Sequence, residues 1–475
     1  MAYTADWNSL SGYRVPQWYQ DARFGIFIHF GIYSVPAYAN EWYSRNMYIQ
    51  GTREFEHHVK IYGPHKDFGY KDFIPMFKAE KFNADEWAEL FAKAGAKYVV
   101  PVAEHHDGFQ MYKSSISKWN AYEMGPKVDY LGELKKSVEK KGMRIGASSH
   151  RIEHWFFMSH GKEFDSDITE DIGPDSLYWP AMKEPEDHYN LYAEPAPTAE
   201  FMEDWFNRTK EIIDNYHPEV LYFDWWIQEA CMKPYLQRMA AYYYNEMEKI
   251  GKCGVINYKH DAFAFGCAVP DVERGQLPTA QPYVWQTDTA IGRHSWCYTT
   301  DNEYKDAEEI VFNLVDAVSK NGNLLLNVGP KPDGTISEED KKTLLGVGEW
   351  LSKNGEAIYG SRCYKFTCEG PTKTEGGQFT DKKKPEYTPE DFRFTQNNGC
   401  IYATALKCAD NGEYLIKSFE TEKNAANSGG FSGIINKVTV LGDGSETVFK
   451  RDEAGLHIKT EYRSDLPVVF KIEVL

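Results

Sequence analysis

Through the first three-quarters of this chain, short apolar runs close on polar side chains, and helix-period segments separate them. Residues 24–28 close on His29, residues 97–103 on Glu104-His105-His106-Asp107, and residues 144–149 on His150. The same pattern takes Val220-Leu221-Tyr222-Phe223 into Asp224-Trp225-Trp226, and residues 254–257 into Tyr258-Lys259-His260. Helical segments follow at residues 84–94 (with Asn83 as cap), 130–141 (with Asp129 as cap), 201–216, 234–250, 306–320 and 337–353. Strands alternating with helices of this length specify a parallel sheet, either closed or doubly wound. No G-x-G-x-x-G follows the first strand and no phosphate loop with its lysine is present, so a dinucleotide fold recedes. The expectation is an α/β fold, a (β/α)8-like TIM barrel. Strand ends in such a barrel open on one mouth, so His29, Glu41-Trp42, His105, His106, His150, Asp224 and Lys259 are expected to share one site.

From about Tyr359 the pattern changes to short β-type runs separated by Gly, Asn, Asp and Pro. A C-terminal β-sandwich is predicted over residues 359–475, after a barrel over residues 1–358. Residues 372–390, rich in Lys and Thr, read as a mobile loop between strands.

Composition narrows the function. The net charge of -18 argues against nucleic acid or an anionic membrane surface as partner. Aromatic residues make up 15% of the chain, with 13 Trp and 32 Tyr, which suits carbohydrate, because sugar faces pack on flat rings. No Arg/Lys cluster at the strand ends suggests a phosphate. The eight cysteines form no C-x-x-C pair and read as reduced thiols. No apolar run reaches the length of a membrane span, and the first residues lack the basic and apolar parts of a signal peptide. A cytoplasmic location is expected, or a secreted or periplasmic one if a signal has been removed. The oligomeric state is not specified. A carboxylate at a strand end among tryptophans, Asp224, suits a glycosidase. The alternative is a metal-dependent barrel hydrolase using His29, His105, His106, His150 and Asp224 as zinc ligands. Adjacent histidines rarely converge on one ion and no H-E-x-x-H is present, so neither metal nor cofactor is expected.

Beyond these readings, the chain resembles the α-L-fucosidases of glycoside hydrolase family 29. The resemblance rests on Trp18-Tyr19-Gln20-Asp21-Ala22-Arg23-Phe24-Gly25-Ile26-Phe27-Ile28-His29-Phe30-Gly31, Asn40-Glu41-Trp42-Tyr43, His105-His106-Asp107-Gly108-Phe109 and Tyr222-Phe223-Asp224. Trp285-Gln286-Thr287, Ser295-Trp296-Cys297-Tyr298 and Asn323-Leu324-Leu325-Leu326-Asn327-Val328-Gly329-Pro330 complete it. It implies a barrel with a C-terminal β-sandwich and a retaining, exo-acting hydrolysis of terminal α-L-fucosyl linkages in fucosylated oligosaccharides or glycoconjugates. Asp224 is then the nucleophile, and Glu273, expected on a loop beyond the strand carrying Asn257, the acid/base, with Asp271, Asp288 and Glu229 as substitutes. His29, Glu41, Trp42, His105, His106, His150, Tyr222, Lys259, Trp285 and Trp296 would bind the sugar. Lys259 stands where many members carry an arginine, and Gln286 where some carry a glutamate.

Overall fold

The computed structural model describes residues 2–421 and 430–475. Its first eight strands are buried along nearly their whole length, as parallel strands covered by helices must be. They are β1 (Phe24–Ile28), β2 (Tyr98–Glu104), β3 (Arg144–Ser149), β4 (Val220–Phe223), β5 (Val255–Tyr258), β6 (Val269–Glu273), β7 (Trp285–Ala290) and β8 (Gly322–Val328). Each pairs in parallel with the next, and β1 closes the barrel on β8, with Phe24 opposite Leu324 and Ile28 opposite Val328. Phe27, Tyr98, Val100, Tyr222, Val255, Val269 and Leu325 form the cluster that fills the interior. Gly25 is required there, because a Cβ would run into the Tyr98 ring.

The helices start where their caps dictate. Asn83, Asp129, Thr198, Asp306 and Ser337 each accept a backbone N–H from the first turn that follows. Each such cap contributes about 1 kcal/mol. Helix Ala199–Tyr216 buries Phe201, Trp205, Ile212 and Ile213 on one side and delivers the chain to β4. At the barrel floor, Tyr19 Oη donates to Gln286 Oε1 (2.8 Å) and Gln286 Nε2 donates to Asp271 Oδ2 (2.6 Å). Gln286 is therefore a core residue and does not reach the mouth.

The last barrel helix, Glu338–Asn354, is followed by an antiparallel region. One sheet has the order β13-β16-β11-β10-β9 and the other β12-β15-β14. The strands are β9 (Arg362–Glu369), β10 (Phe392–Asn397), β11 (Cys400–Ala405), β12 (Glu413–Ile416), β13 (Ile435–Val440), β14 (Val448–Asp452), β15 (Gly455–Lys459) and β16 (Val468–Val474). Phe392, Phe394, Tyr414, Ile416, Phe419, Leu456 and Phe470 form the core between the sheets. The sandwich is tied to the barrel by Arg393 Nε on Asp316 (2.6 Å) and by Trp350 Nε1 on the Pro467 carbonyl (2.8 Å).

Two expectations change. Residues 269–273 and 285–290 complete the barrel as β6 and β7, although Pro270 and the polar Gln286-Thr287-Asp288 obscure them in sequence. Residues 372–390 do not hang free: Gly377 exchanges backbone hydrogen bonds with Gln276, and Phe379 N donates to the Glu273 carbonyl (2.8 Å). The eight cysteines are unpaired. Among the described residues no helix is long and apolar enough to cross a membrane.

Candidate active site

A cavity of about 530 Å3 opens at the carboxyl ends of the barrel strands. That size lies within the range of small-ligand sites. His29, Glu41, Trp42, His105, His106, His150, Tyr222, Asp224, Glu273 and Trp296 all line it, so ten of the sequence-derived positions converge.

Asp224 follows β4 directly. His150 Nδ1 donates to its Oδ2 at 2.9 Å, and His106 Nε2 lies 3.5 Å from the same oxygen. Burial works against an anion here, but the two imidazoles outweigh it and hold Asp224 well below the ordinary carboxylate range. Burial keeps His150, His29 and His105 below the usual imidazole range, so they are neutral near pH 7. Asn327 fixes the tautomer of His29: its Nδ2 donates to the Trp296 carbonyl (2.6 Å), so its Oδ1 accepts from His29 Nδ1 (2.7 Å). His29 Nε2 is left as an acceptor for a hydroxyl. Glu41 Oε2 accepts from Ser295 Oγ (3.1 Å) and Trp296 N (3.0 Å), which sets the Trp296 ring at the rim.

Glu273 is the last residue of β6, not a loop residue as expected. Trp225 Nε1 donates to its Oε2, and Lys259 Nζ lies 3.4 Å from that oxygen. Burial is the main influence on Glu273, and it raises the pKa to about 7; Asp288 and Asp224 add to it while Lys259 opposes. The excess of acid is local. Lys259 also bonds Asp271 Oδ1 (2.6 Å) and both oxygens of Asp288 (3.1 Å), so one ammonium serves three carboxyls. Burial and Asp271 raise Asp288 above the ordinary carboxylate range. The Tyr222 hydroxyl donates to Asp288 at 2.7 Å.

Two expected sugar ligands are elsewhere. Lys259 is fully buried, and its ammonium is occupied by carboxylates beneath the cavity. Trp285 begins β7, so it lies at the opposite end of the barrel from the mouth. Its ring packs with Val272 and Ala317 outside the barrel, and its Nε1 donates to the Lys320 carbonyl (2.8 Å). Of the acid/base substitutes, Asp288 lines the cavity, whereas Asp271 is held by Lys259 and Gln286, and Glu229 is not among the lining residues.

Sequence reading missed Glu153. It lines the cavity, is 1% exposed, and neither carboxyl oxygen has a hydrogen-bond partner. Burial, then Asp224 and Glu273, raises its pKa well above the carboxylate range, which favours its neutral form. Its position three residues after His150, in the same strand-end loop, was the available signal. Also missed were Arg274, whose guanidinium lies 4.5 Å over the Trp296 ring, and Phe379, Asp381 and Lys382 from the C-terminal region.

Among the described residues, two groups have ligand-type atoms within 4.8 Å of one another, His29-His105-His150 and His106-His150-Asp224. A metal in either would compete with hydrogen bonds already made, Asp224 and Ser148 to His150 and Asn327 to His29.

The sequence model of a family described as Alpha-L-fucosidase matches residues 1–356. The tissue alpha-L-fucosidase of Bos taurus is 33% identical over 371 residues, 77% of this chain and 74% of that protein. The tissue alpha-L-fucosidase of Homo sapiens is 30% identical over 421 residues, 88% of this chain and 81% of that one. The crystal structure of Thermotoga maritima alpha-fucosidase in complex with fucose superposes with a TM-score of 0.75 at 32% identity, covering 99% of this chain and 100% of that one.

Proposed function

This chain belongs to the alpha-L-fucosidase family of glycoside hydrolases, and from that premise we propose a retaining, exo-acting double displacement on terminal α-L-fucosyl linkages of fucosylated oligosaccharides or glycoconjugates. One observation carries the reading. The same mouth holds a carboxylate kept ionised by two histidines, Asp224, and a carboxyl whose pKa is raised to about 7, Glu273. Two carboxyls with pKa values driven apart are what a nucleophile and a general acid need.

In the first step an Asp224 oxygen bonds to the anomeric carbon, the glycosidic C–O bond breaks, and the Glu273 proton passes to the departing oxygen. The resulting ester is neutral, so one of the charges that raise Glu273 disappears and its pKa falls. Glu273 then takes a proton from water, the water oxygen bonds to the anomeric carbon, and the ester bond breaks to restore Asp224. His29, Glu41, Trp42, His105 and His106 serve the sugar hydroxyls, and Glu153 joins them as a neutral acid. His150, expected among the sugar ligands, instead positions Asp224, because its two ring nitrogens are engaged by Asp224 and Ser148. Phe27 and Trp296, with ring centroids 6.1 Å apart, form the apolar wall for the sugar's methyl group. A single small group in such a wall discriminates by about 1–3 kcal/mol, so the hydroxyl contacts supply the rest of the selectivity. The catalytic unit takes in residues 1–358 and the sandwich residues 359–475.

The test is release of 4-nitrophenol from the α-L-fucoside and the β-D-galactoside by wild type, Asp224→Ala and Glu273→Ala, with and without EDTA. The expected result is turnover of the fucoside alone, insensitive to EDTA and lost in Asp224→Ala. Azide then rescues Asp224→Ala with a β-fucosyl azide product and Glu273→Ala with an α product. Turnover that EDTA abolishes would instead favour the metal-dependent alternative.

A further inference from the structure

The C-terminal region supplies part of the wall of the mouth. Phe379 lines the cavity, and 40% of it is exposed, unusual for a phenylalanine at a well-packed site. Its ring lies parallel to that of Trp225, with centroids 5.8 Å apart and planes 14° from parallel. Trp225 in turn donates its indole N–H to Glu273. The segment is pinned to the strand end that carries Glu273: Phe379 N donates to the Glu273 carbonyl (2.8 Å), Glu273 N donates to Gln378 Oε1, and Asp381 N donates to the Arg274 carbonyl (3.0 Å). Asp381 is held from below by Thr289 Oγ1 and Lys305 Nζ. Approach this close needs glycine opposite, since a Cβ at Gly275 would overlap the Gly377 carbonyl.

We infer that Phe379 and Trp225 form the binding surface for the leaving group, and that its natural occupant is the hexopyranose to which the fucose is attached. The inference rests on the reading of Glu273 as the general acid. A general acid protonates the departing oxygen, so the leaving group lies on the acid's side of the fucose. On that side stands an offset pair of flat rings, the surface on which a sugar face of C–H bonds packs. His294 and Lys382 line the same cavity and offer donors to that sugar's hydroxyls.

The experiment compares kcat/KM on two kinds of substrate. One is α-L-fucosyl fluoride, whose leaving group has no ring to stack. The other is the best-cleaved member of a set of α1,2-, α1,3-, α1,4- and α1,6-fucosyl disaccharides. The readout is the disaccharide-to-fluoride ratio in wild type, Phe379→Ala and Phe379→Tyr. The ratio is expected to fall about tenfold in Phe379→Ala, the scale of one aromatic contact, and to stay within about threefold in Phe379→Tyr, which keeps the ring. A ratio unchanged in Phe379→Ala, or lowered equally in Phe379→Tyr, overturns the inference, as does a wild type that cleaves the fluoride and none of the disaccharides. A wild type that cleaves neither substrate overturns the proposed function instead.

Discussion

Two buried ionic clusters, one around the ends of β2 and β3 and one around β5, β6 and β7, differ in how many cations they hold. In the first, Arg151 bonds Glu104 (2.8 Å) and Asp204 (2.7 Å), and Arg208 bonds the same two acids at 3.2 Å and 2.9 Å. Two acids meet two guanidiniums. In the second, Lys259 alone faces Asp271, Asp288 and Glu273. The balanced cluster pulls Asp204 below its ordinary pKa against burial; burial prevails at Glu104, which is raised. The unbalanced one raises Asp288 above the ordinary carboxylate range and Glu273 to about 7. Matched charge ties helix Ala199–Tyr216 to β2. A surplus of carboxyl groups creates a proton that is available near neutral pH, which is what chemistry requires.

Breaking the balanced cluster is expected to have the largest effect. Arg208→Met leaves buried acids short of a partner, and denaturant unfolding should show a loss of about 3–5 kcal/mol. An unaltered unfolding midpoint would mean that the cluster is slack. Glu153 gives the next test, because it is read as neutral. Glu153→Gln preserves the shape and hydrogen bonding of a neutral acid, so kcat/KM on the aryl fucoside should stay within about threefold, whereas Glu153→Ala should lose about tenfold, about the worth of one hydrogen bond. A large loss in the Gln variant would show that Glu153 acts as an anion.

The smallest effect sharpens the comparison most. Asp288 raises Glu273 and competes with it for Lys259, so Asp288→Asn must lower the Glu273 pKa. A general acid works only below its own pKa. The alkaline limb of kcat/KM, expected near pH 7 in wild type, should therefore move to lower pH by about one unit. A limb that stays put or moves upward would detach Asp288 from the acid.

Much of this was visible in the chain beforehand, for one reason. Strand-final side chains of a barrel point into the mouth, so His29, His106, His150 and Asp224 could be located from hydrophobic runs and their ends. The same rule explains the failures. Trp285 begins its strand rather than ending it, and its ring turns outward. Glu273 ends a strand that Pro270 conceals, so the sequence there reads as a loop. Lys259 obeys the rule in position, but the carboxylates that claim its ammonium come from β6 and β7, which local pattern does not pair with β5. Phe379 follows no periodicity, and only the folded chain brings it to Trp225, more than a hundred positions earlier in sequence.

That last contact bears on how the molecule comes into being. A chain made from its N-terminus can close β1 to β8 before the C-terminal strands exist. The stretch from the end of β8, Val328, to Phe379 takes on the order of five seconds to synthesise. A nascent barrel thus passes through an interval in which its acid is in place but the surface beside it is missing. Hydrolytic competence toward a simple fucoside and competence toward an oligosaccharide should then arise at different moments of translation, the second only once the final sheet has been laid against the first.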